Sequence, residues 1–186
     1  VFPCASLFRC NGDFDPGVGT LNLTSVGSYD IFIQKLDPNG NLIWARSMGG
    51  TSGDEGYSIT TDALGNVYTT GNFSSTVDFD PGAGTLNLTS VGSYDIFIQK
   101  LDPNGNLIWA RSMGGASTDY GHSITTDASG NVYTTGFFWG TADFDPGTGT
   151  LNLTSAGDYD IFIQKLDSNG NLIWAVSMGG TVWDYG

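Results

Sequence analysis

Residues Asp13–Gly50 read DFDPGVGTLNLTSVGSYDIFIQKLDPNGNLIWARSMGG. The same 38 residues return at Asp78–Gly115 with one change, Ala83 for Val18, and at Asp143–Gly180 with five. A fixed spacing of 65 residues marks one supersecondary unit stacked on copies of itself. The fold is therefore read per repeat before any residue is asked for chemistry.

Within the 186 residues are 28 glycines, and the hydrophobic share is 39%. Thr, Val, Ile, Tyr, Phe and Trp come in short runs cut by Gly, Asn and Asp, while strong helix formers are scarce. An all-β chain with many turns is expected. No apolar run of about 18 residues is present, so no membrane-inserted helix is expected, and no basic-then-apolar leader opens the chain. Val1 is read as a mature or trimmed end.

In the copy from Tyr57 to Gly115, the runs 57–61 and 67–73 flank the turn Asp62-Ala-Leu-Gly-Asn66 and predict a hairpin, strands a and b. Runs 95–101 and 106–113 flank Asp102-Pro-Asn-Gly105, where Pro presets the turn and Gly supplies positive φ, and predict strands c and d. The segment between b and c alternates Val77 and Phe79 with Leu86 and Leu88, which suits a small extra hairpin around Pro81–Gly84. Apolar residues stand at adjacent positions of c (Ile96, Phe97, Ile98) and d (Leu107, Ile108, Trp109), as in strands covered on both faces by neighbouring layers. Four antiparallel strands per repeat without a helix predict a WD40-like β-propeller blade.

The pattern GxSITTDxxGNVYTTGxF followed by DIFIQKLDxNGNLIWAxSMGG resembles the SBBP β-propeller repeats of secreted and surface proteins of bacteria. The DFDPG insert is similar to the form common in Bacteroidetes. The resemblance covers Asp13 to the end of the chain. It implies a propeller scaffold on an exported, extracellular or cell-surface protein and brings no catalytic residues. The expected division is a divergent leader at 1–12, a half blade of strands c and d at 13–50, full blades at 51–115 and 116–180, and the start of another at 181–186. That makes a partial ring of about two and a half repeats, leaving open edges that further blades of the same or another chain would close.

Apart from Leu64 and Ser129, residues 51–115 and 116–180 differ in two patches before the conserved block: 51–57 against 116–122, and 72–77 against 137–142. In a four-stranded blade the d–a and b–c connections lie on one face. Tyr57, Asp119, Tyr120, His122, Phe137 and Trp139 are therefore the candidate ligand-binding face, suited to stacking on a sugar or anchoring a protein. Drift of exposed loops is the competing explanation, with Phe138, matched by Phe73 and Phe8, a core residue.

The acidic side chains are 18 Asp and one Glu, Glu55, for a net charge of −13. Such a surface repels phosphate backbones and anionic lipid, which excludes nucleic acid and membrane insertion from the expected partners. Asp13 with Asp15, Asp78 with Asp80, and Asp143 with Asp145 place alternate carboxylates before a Gly-rich turn. That arrangement suits either Ca²⁺ or a turn in which the acids accept backbone N–H bonds. Asp37-Pro-Asn39-Gly-Asn41 departs from an EF-hand loop, with its glycine one position early and no closing Glu. Cys4 and Cys10 are spaced to permit a local disulfide in an oxidising compartment. One His and one Glu leave no acid–base or nucleophilic constellation of a usual kind, so the chain is read as non-enzymatic.

The function expected from the sequence is an adhesion scaffold presenting a loop face to carbohydrate or protein. The alternatives are a subunit of an extracellular assembly or filament closed by strand pairing between chains, and a glycan-active enzyme with catalytic residues elsewhere.

Overall fold

The computed structural model describes residues 2–185; Val1 and Gly186, which the expected division places in the leader and the closing segment, lie outside them. In chain order the strands are β1 (Phe2–Phe8), β2 (Asn11–Asp13), β3 (Asn22–Thr24), β4 (Asp30–Leu36), β5 (Leu42–Gly50), β6 (Glu55–Thr61), β7 (Val67–Phe73) and β8 (Thr76–Asp78). They continue as β9 (Asn87–Thr89), β10 (Asp95–Leu101), β11 (Leu107–Gly115), β12 (Asp119–Thr126), β13 (Val132–Asp143), β14 (Asn152–Leu166) and β15 (Leu172–Met178). All named pairings are antiparallel, and the described residues contain no helix.

The central blade is β6-β7-β10-β11 and the third is β12-β13-β14-β15. The first is β1-β4-β5. The leader is thus not separate from the repeat: Phe8 sits opposite Asp30 just as Phe73 faces Asp95 and Phe138 faces Asp160. The first blade therefore holds strands b, c and d rather than c and d alone. Strand pairing is made by the backbone, so β1 keeps its register although little of its sequence beyond Phe8 matches β7.

Cys4 lies within β1, and Cys10 lies in the bend beyond its end, at φ 66°. Cys4 and Cys10 are both free and exposed, so the local bridge that their spacing allowed does not form.

Turn chemistry fixes the hairpins. In the c–d turn Asp102 Oδ1 accepts the backbone N–H groups of Asn104 and Asn106, its Oδ2 takes the Asn106 amide, and Gly105 turns the chain at φ 81°. Asp37 and Asp167 repeat the arrangement, and Asp62 and Asp127 build it into the a–b turns.

Two cores lie between blades. Ile31, Ile33, Trp44 and Met48 of the first blade meet Val67, Phe97 and Leu101 of the second. Ile96, Ile98, Trp109 and Met113 of the second meet Ile124, Val132, Phe162 and Leu166 of the third. Adjacent residues of β10 thus serve opposite cores, and all seven are buried. This is the physical origin of its unbroken apolar run.

The extra hairpin forms from β8 and β9, with Pro81–Gly84 in its loop. It reaches beyond its own blade: Val77 and Asp78 pair with Gly50 and Gly49 at the end of β5. In the next repeat Ala142 and Asp143 pair with Gly115 and Gly114. The second and third b–c excursions are therefore each stitched to the outermost strand of the preceding blade, while β2 and β3 of the first pair with one another. The SMGG glycines permit this approach, since a Cβ on Gly50 would lie 2.4 Å from the Thr76 carbonyl oxygen.

Candidate functional site

The d–a and b–c connections meet on one face through parallel bridges from Tyr29 to Gly53 and from Tyr94 to Thr118. Strand a begins there under a buried aspartate. Asp119 is fully buried, and its carboxylate accepts the N–H of Gly115 at 2.8 Å and of Trp139 at 3.3 Å. Asp54 binds Gly50 and Ser74 in the same way, at 2.8 and 3.1 Å. Each aspartate pins the end of strand d, the end of strand b and the start of strand a together.

Burial pushes the Asp119 carboxyl up to about 7 and that of Asp54 up to about 6, against the opposing pull of their backbone N–H donors. Asp95 stands beside Asp119, so close that a Cβ on Gly114 would lie 2.5 Å from the Asp95 carboxyl carbon and 2.9 Å from Asp119 Oδ2. Asp119 was expected on the ligand-binding face; it lies beneath that face instead, because the junction needs both its oxygens.

The other five residues of the expected face gather. Tyr57 and His122 lie 5.0 Å apart between ring centres, His122 and Phe137 4.8 Å, and Tyr120 and Phe137 4.8 Å. Trp139, 45% exposed, is 6.1 Å from Tyr159. Burial lowers the His122 pKa, leaving it a neutral ring at physiological pH. The Tyr57 hydroxyl donates to Glu55, and burial, followed by that bond, raises its pKa. Phe73 and Phe138 are fully buried, core residues rather than ligand contacts.

Sequence comparison of the repeats misses Tyr94, Tyr159, Trp183 and Tyr185, which join the cluster. Tyr94 stacks on Tyr120 at 6.2 Å, Tyr159 meets Trp183 at 5.5 Å, and Phe137 meets Tyr185 at 4.9 Å. The available signal was positional: Tyr29, Tyr94 and Tyr159 recur immediately before strand c, beside the variable loops.

The DFDPG acids build their turn. Asp78 Oδ1 accepts the N–H of Asp80 and of Leu86, and Asp80 Oδ1 accepts that of Gly82. Asp13 with Asp15 and Asp143 with Asp145 make the same bonds. Among the described residues no three His, Cys, Asp or Glu side chains group to hold a metal ion.

Residues 43–79 and 108–136 match the family model described as SBBP, β-propeller repeat. The first segment runs from β5 through β6 and β7 into β8, and so straddles two blades. The chain is 30% identical over 172 residues to an uncharacterized WD repeat-containing protein, L264, of Acanthamoeba polyphaga mimivirus, covering 79% of this chain and 12% of that protein. It is 26% identical over 145 residues to the regulatory protein FlaEY of Caulobacter vibrioides, covering 78% of this chain and 15% of that protein. The chain thus spans a small fraction of either relative.

Proposed function

From the premise that the chain carries SBBP β-propeller repeats, we propose that it is a non-enzymatic scaffold whose d–a and b–c face binds a carbohydrate or protein ligand at a bacterial cell surface. One observation carries this reading: positions at which the repeats differ converge on a single cluster of aromatic rings. Loop drift alone would scatter such changes without regard to chemistry. Here Tyr57 and His122 stand in contact across two blades, and Trp139 takes the place of Ser74. Aromatic side chains supply large contact area at low conformational cost, as binding surfaces require. The non-enzymatic reading is supported by the state of the candidate groups. His122 packs among rings, and Asp54 and Asp119 are enclosed by backbone donors.

The test is a screen of immobilised glycans and surface proteins with the purified chain and its Trp139→Ser/His122→Ala variant. The variant is expected to weaken any captured ligand by more than about tenfold; undiminished capture would remove this face from consideration. Fractionation of the producing cells tests the surface location.

A second reading, a propeller element completed by further blades of the same or another chain, is favoured by the blade contacts. Trp44 and Trp109 each cover the c–d turn of the following blade. Trp174, by contrast, is 39% exposed, and a Cβ added to Gly40 in the first c–d turn would meet nothing within 4 Å. Both halves of a twice-used contact are thus open.

A further inference from the structure

Between the third blade and the segment that follows it lies a cavity of about 260 Å³ lined by Tyr120, Phe137, Tyr159, Trp183 and Tyr185. Three pairs of its walls stand at steep angles, Phe137 to Tyr185 at 86°, Tyr159 to Trp183 at 76° and Trp183 to Tyr185 at 69°, while Tyr159 and Tyr185 lie within 23° of parallel. Among the described residues no Lys, Arg, Asn, Gln, Asp or Glu lines it. A pyranose needs amides and carboxylates for its hydroxyls as well as a ring to stack on, and this cavity offers only phenol and indole tips. Aromatic faces are negative, and several of them around one small volume attract a cation that carries its charge on an apolar surface.

The surroundings agree. The chain has six Lys and Arg against 19 acidic residues, so the long-range field draws cations in. Burial, then Tyr159 and Tyr94 and after them Glu55, raises the Tyr120 phenol, and burial lowers the pKa of His122 beside it.

The first blade supplies a precedent within the molecule. Tyr29 is the repeat equivalent of Tyr159, and the Arg9 guanidinium stands 5.7 Å from the centre of its ring. Arg9 occupies the position that Trp139 holds in the third blade. There the repeat's tyrosine has lost its own cation and gained further aromatic neighbours in its place.

We propose that the Tyr120–Phe137–Tyr159–Trp183–Tyr185 cavity binds a quaternary ammonium group, the trimethylammonium head of a choline-type or trimethyllysine-type ligand. This rests on the reading of the same face as the ligand surface and names the chemistry it recognises. The strongly acidic surface disfavours a phosphate attached to that head.

The experiment is a tryptophan-fluorescence and calorimetric titration of the full chain with choline, phosphocholine, trimethyllysine, lysine and 3,3-dimethylbutan-1-ol, the neutral isostere of choline. Choline is expected to bind about tenfold or more tighter than the isostere, trimethyllysine tighter than lysine, and phosphocholine more weakly than choline. The ratio of choline to trimethyllysine affinity identifies the source. Trp183→Leu and Tyr159→Leu, which keep apolar bulk without a π face, are expected to abolish the preference for charge, and Tyr159→Phe to retain it, each variant being checked for folding by circular dichroism. Equal binding of choline and its isostere, no binding of either, or an unchanged preference in both Leu variants overturns the proposal. These outcomes are separable from failure of the broader reading, since capture of a glycan or protein lost with Trp139 and His122 stands whether or not choline binds.

Discussion

Trp44 donates its indole N–H to the carbonyl oxygen of Pro103 at 3.1 Å, and 65 residues on Trp109 donates in the same way to Ser168 at 3.2 Å. Lys35 and Lys100 reach the same two carbonyls, at 2.7 and 3.2 Å, and Arg46 and Arg111 bind the glycine carbonyls of the same turns at 3.3 and 3.2 Å. A tight turn of one blade is thereby clasped by strands c and d of its neighbour. The residues that make the turn, DPNG and DSNG, are conserved between copies for two reasons at once: they turn the chain and they are gripped.

The grip is measurable by comparing two equivalent glycines. Gly40 and Gly105 share a positive φ, 84° and 81°, but a Cβ on Gly40 meets nothing within 4 Å whereas one on Gly105 lies 3.1 Å from the Trp44 ring. Gly40→Ala is expected to cost about 1–2 kcal/mol, the left-handed penalty alone. Gly105→Ala is expected to cost at least ~1 kcal/mol more through overpacking. Urea denaturation of the two variants checks this, and equal losses would show that the clasp contributes nothing.

Asp119 sets the pH profile. Its folded pKa of about 7 lies above the ordinary carboxylate value, so between those limits the folded state holds the extra proton. Stability therefore rises as pH falls from about 8 toward 5, and Asp54 adds to the trend around 6. Below about 4 the trend reverses. Asp37 and Asp127, held low first by the amides of Asn41 and Asn131, must then accept protons and surrender their turns. Thermal melts from pH 3 to 9 should show a maximum on the acid side of neutrality, and Asp119→Asn should flatten the slope between 5 and 8. A profile that climbs through neutrality would contradict this.

The DFDPG turns should hold without metal. Asp78 Oδ1 already takes two backbone donors, at 3.0 and 2.8 Å. Asp78→Ala is expected to destabilise by about 1–3 kcal/mol through the donors left unpaired, and melting temperatures in EDTA and in millimolar Ca²⁺ should agree. A rise of several degrees with Ca²⁺ that Asp78→Ala abolishes would restore the calcium reading.

Both cysteines should behave as accessible thiols. Cys4 and Cys10 are exposed and free, so the native protein is expected to give two equivalents with a disulfide reagent under non-denaturing conditions. Air oxidation should yield linked dimers rather than an internal bridge. A single equivalent, or an oxidised monomer, would show that the leader departs from β1.

The blade was legible in the sequence because its two strongest signals are local. Turn residues at Asp62–Asn66 and Asp102–Gly105 bracket β-rich runs, and the structure places β7 and β10 at 67–73 and 95–101, the runs so bracketed. What the sequence hid depends on partners distant along the chain. Strand β1 is held by hydrogen bonds to β4 rather than by its own composition, so only Phe8 betrayed it. Asp119 looked like a surface carboxylate because nothing in its neighbours shows that Gly115 and Trp139 converge on it. Of the aromatic face, the residues that vary were found and Tyr94 and Tyr159 were not. A residue repeated in every copy reads as construction, although Tyr159 also walls the cavity.

The hairpin stitched from Val77–Asp78 back to Gly49–Gly50 makes the chain's cooperative unit out of phase with its visible architecture. A cut between blades severs backbone ladders at the SMGG glycines and strips a hairpin of its only sheet. A cut inside the c–d turn costs more still, because it parts strand c from the strand d with which it pairs, from Ile96 opposite Met113 to Leu101 opposite Leu107. Anyone lengthening, shortening or permuting this molecule should therefore keep each blade together with the hairpin of the blade that follows it.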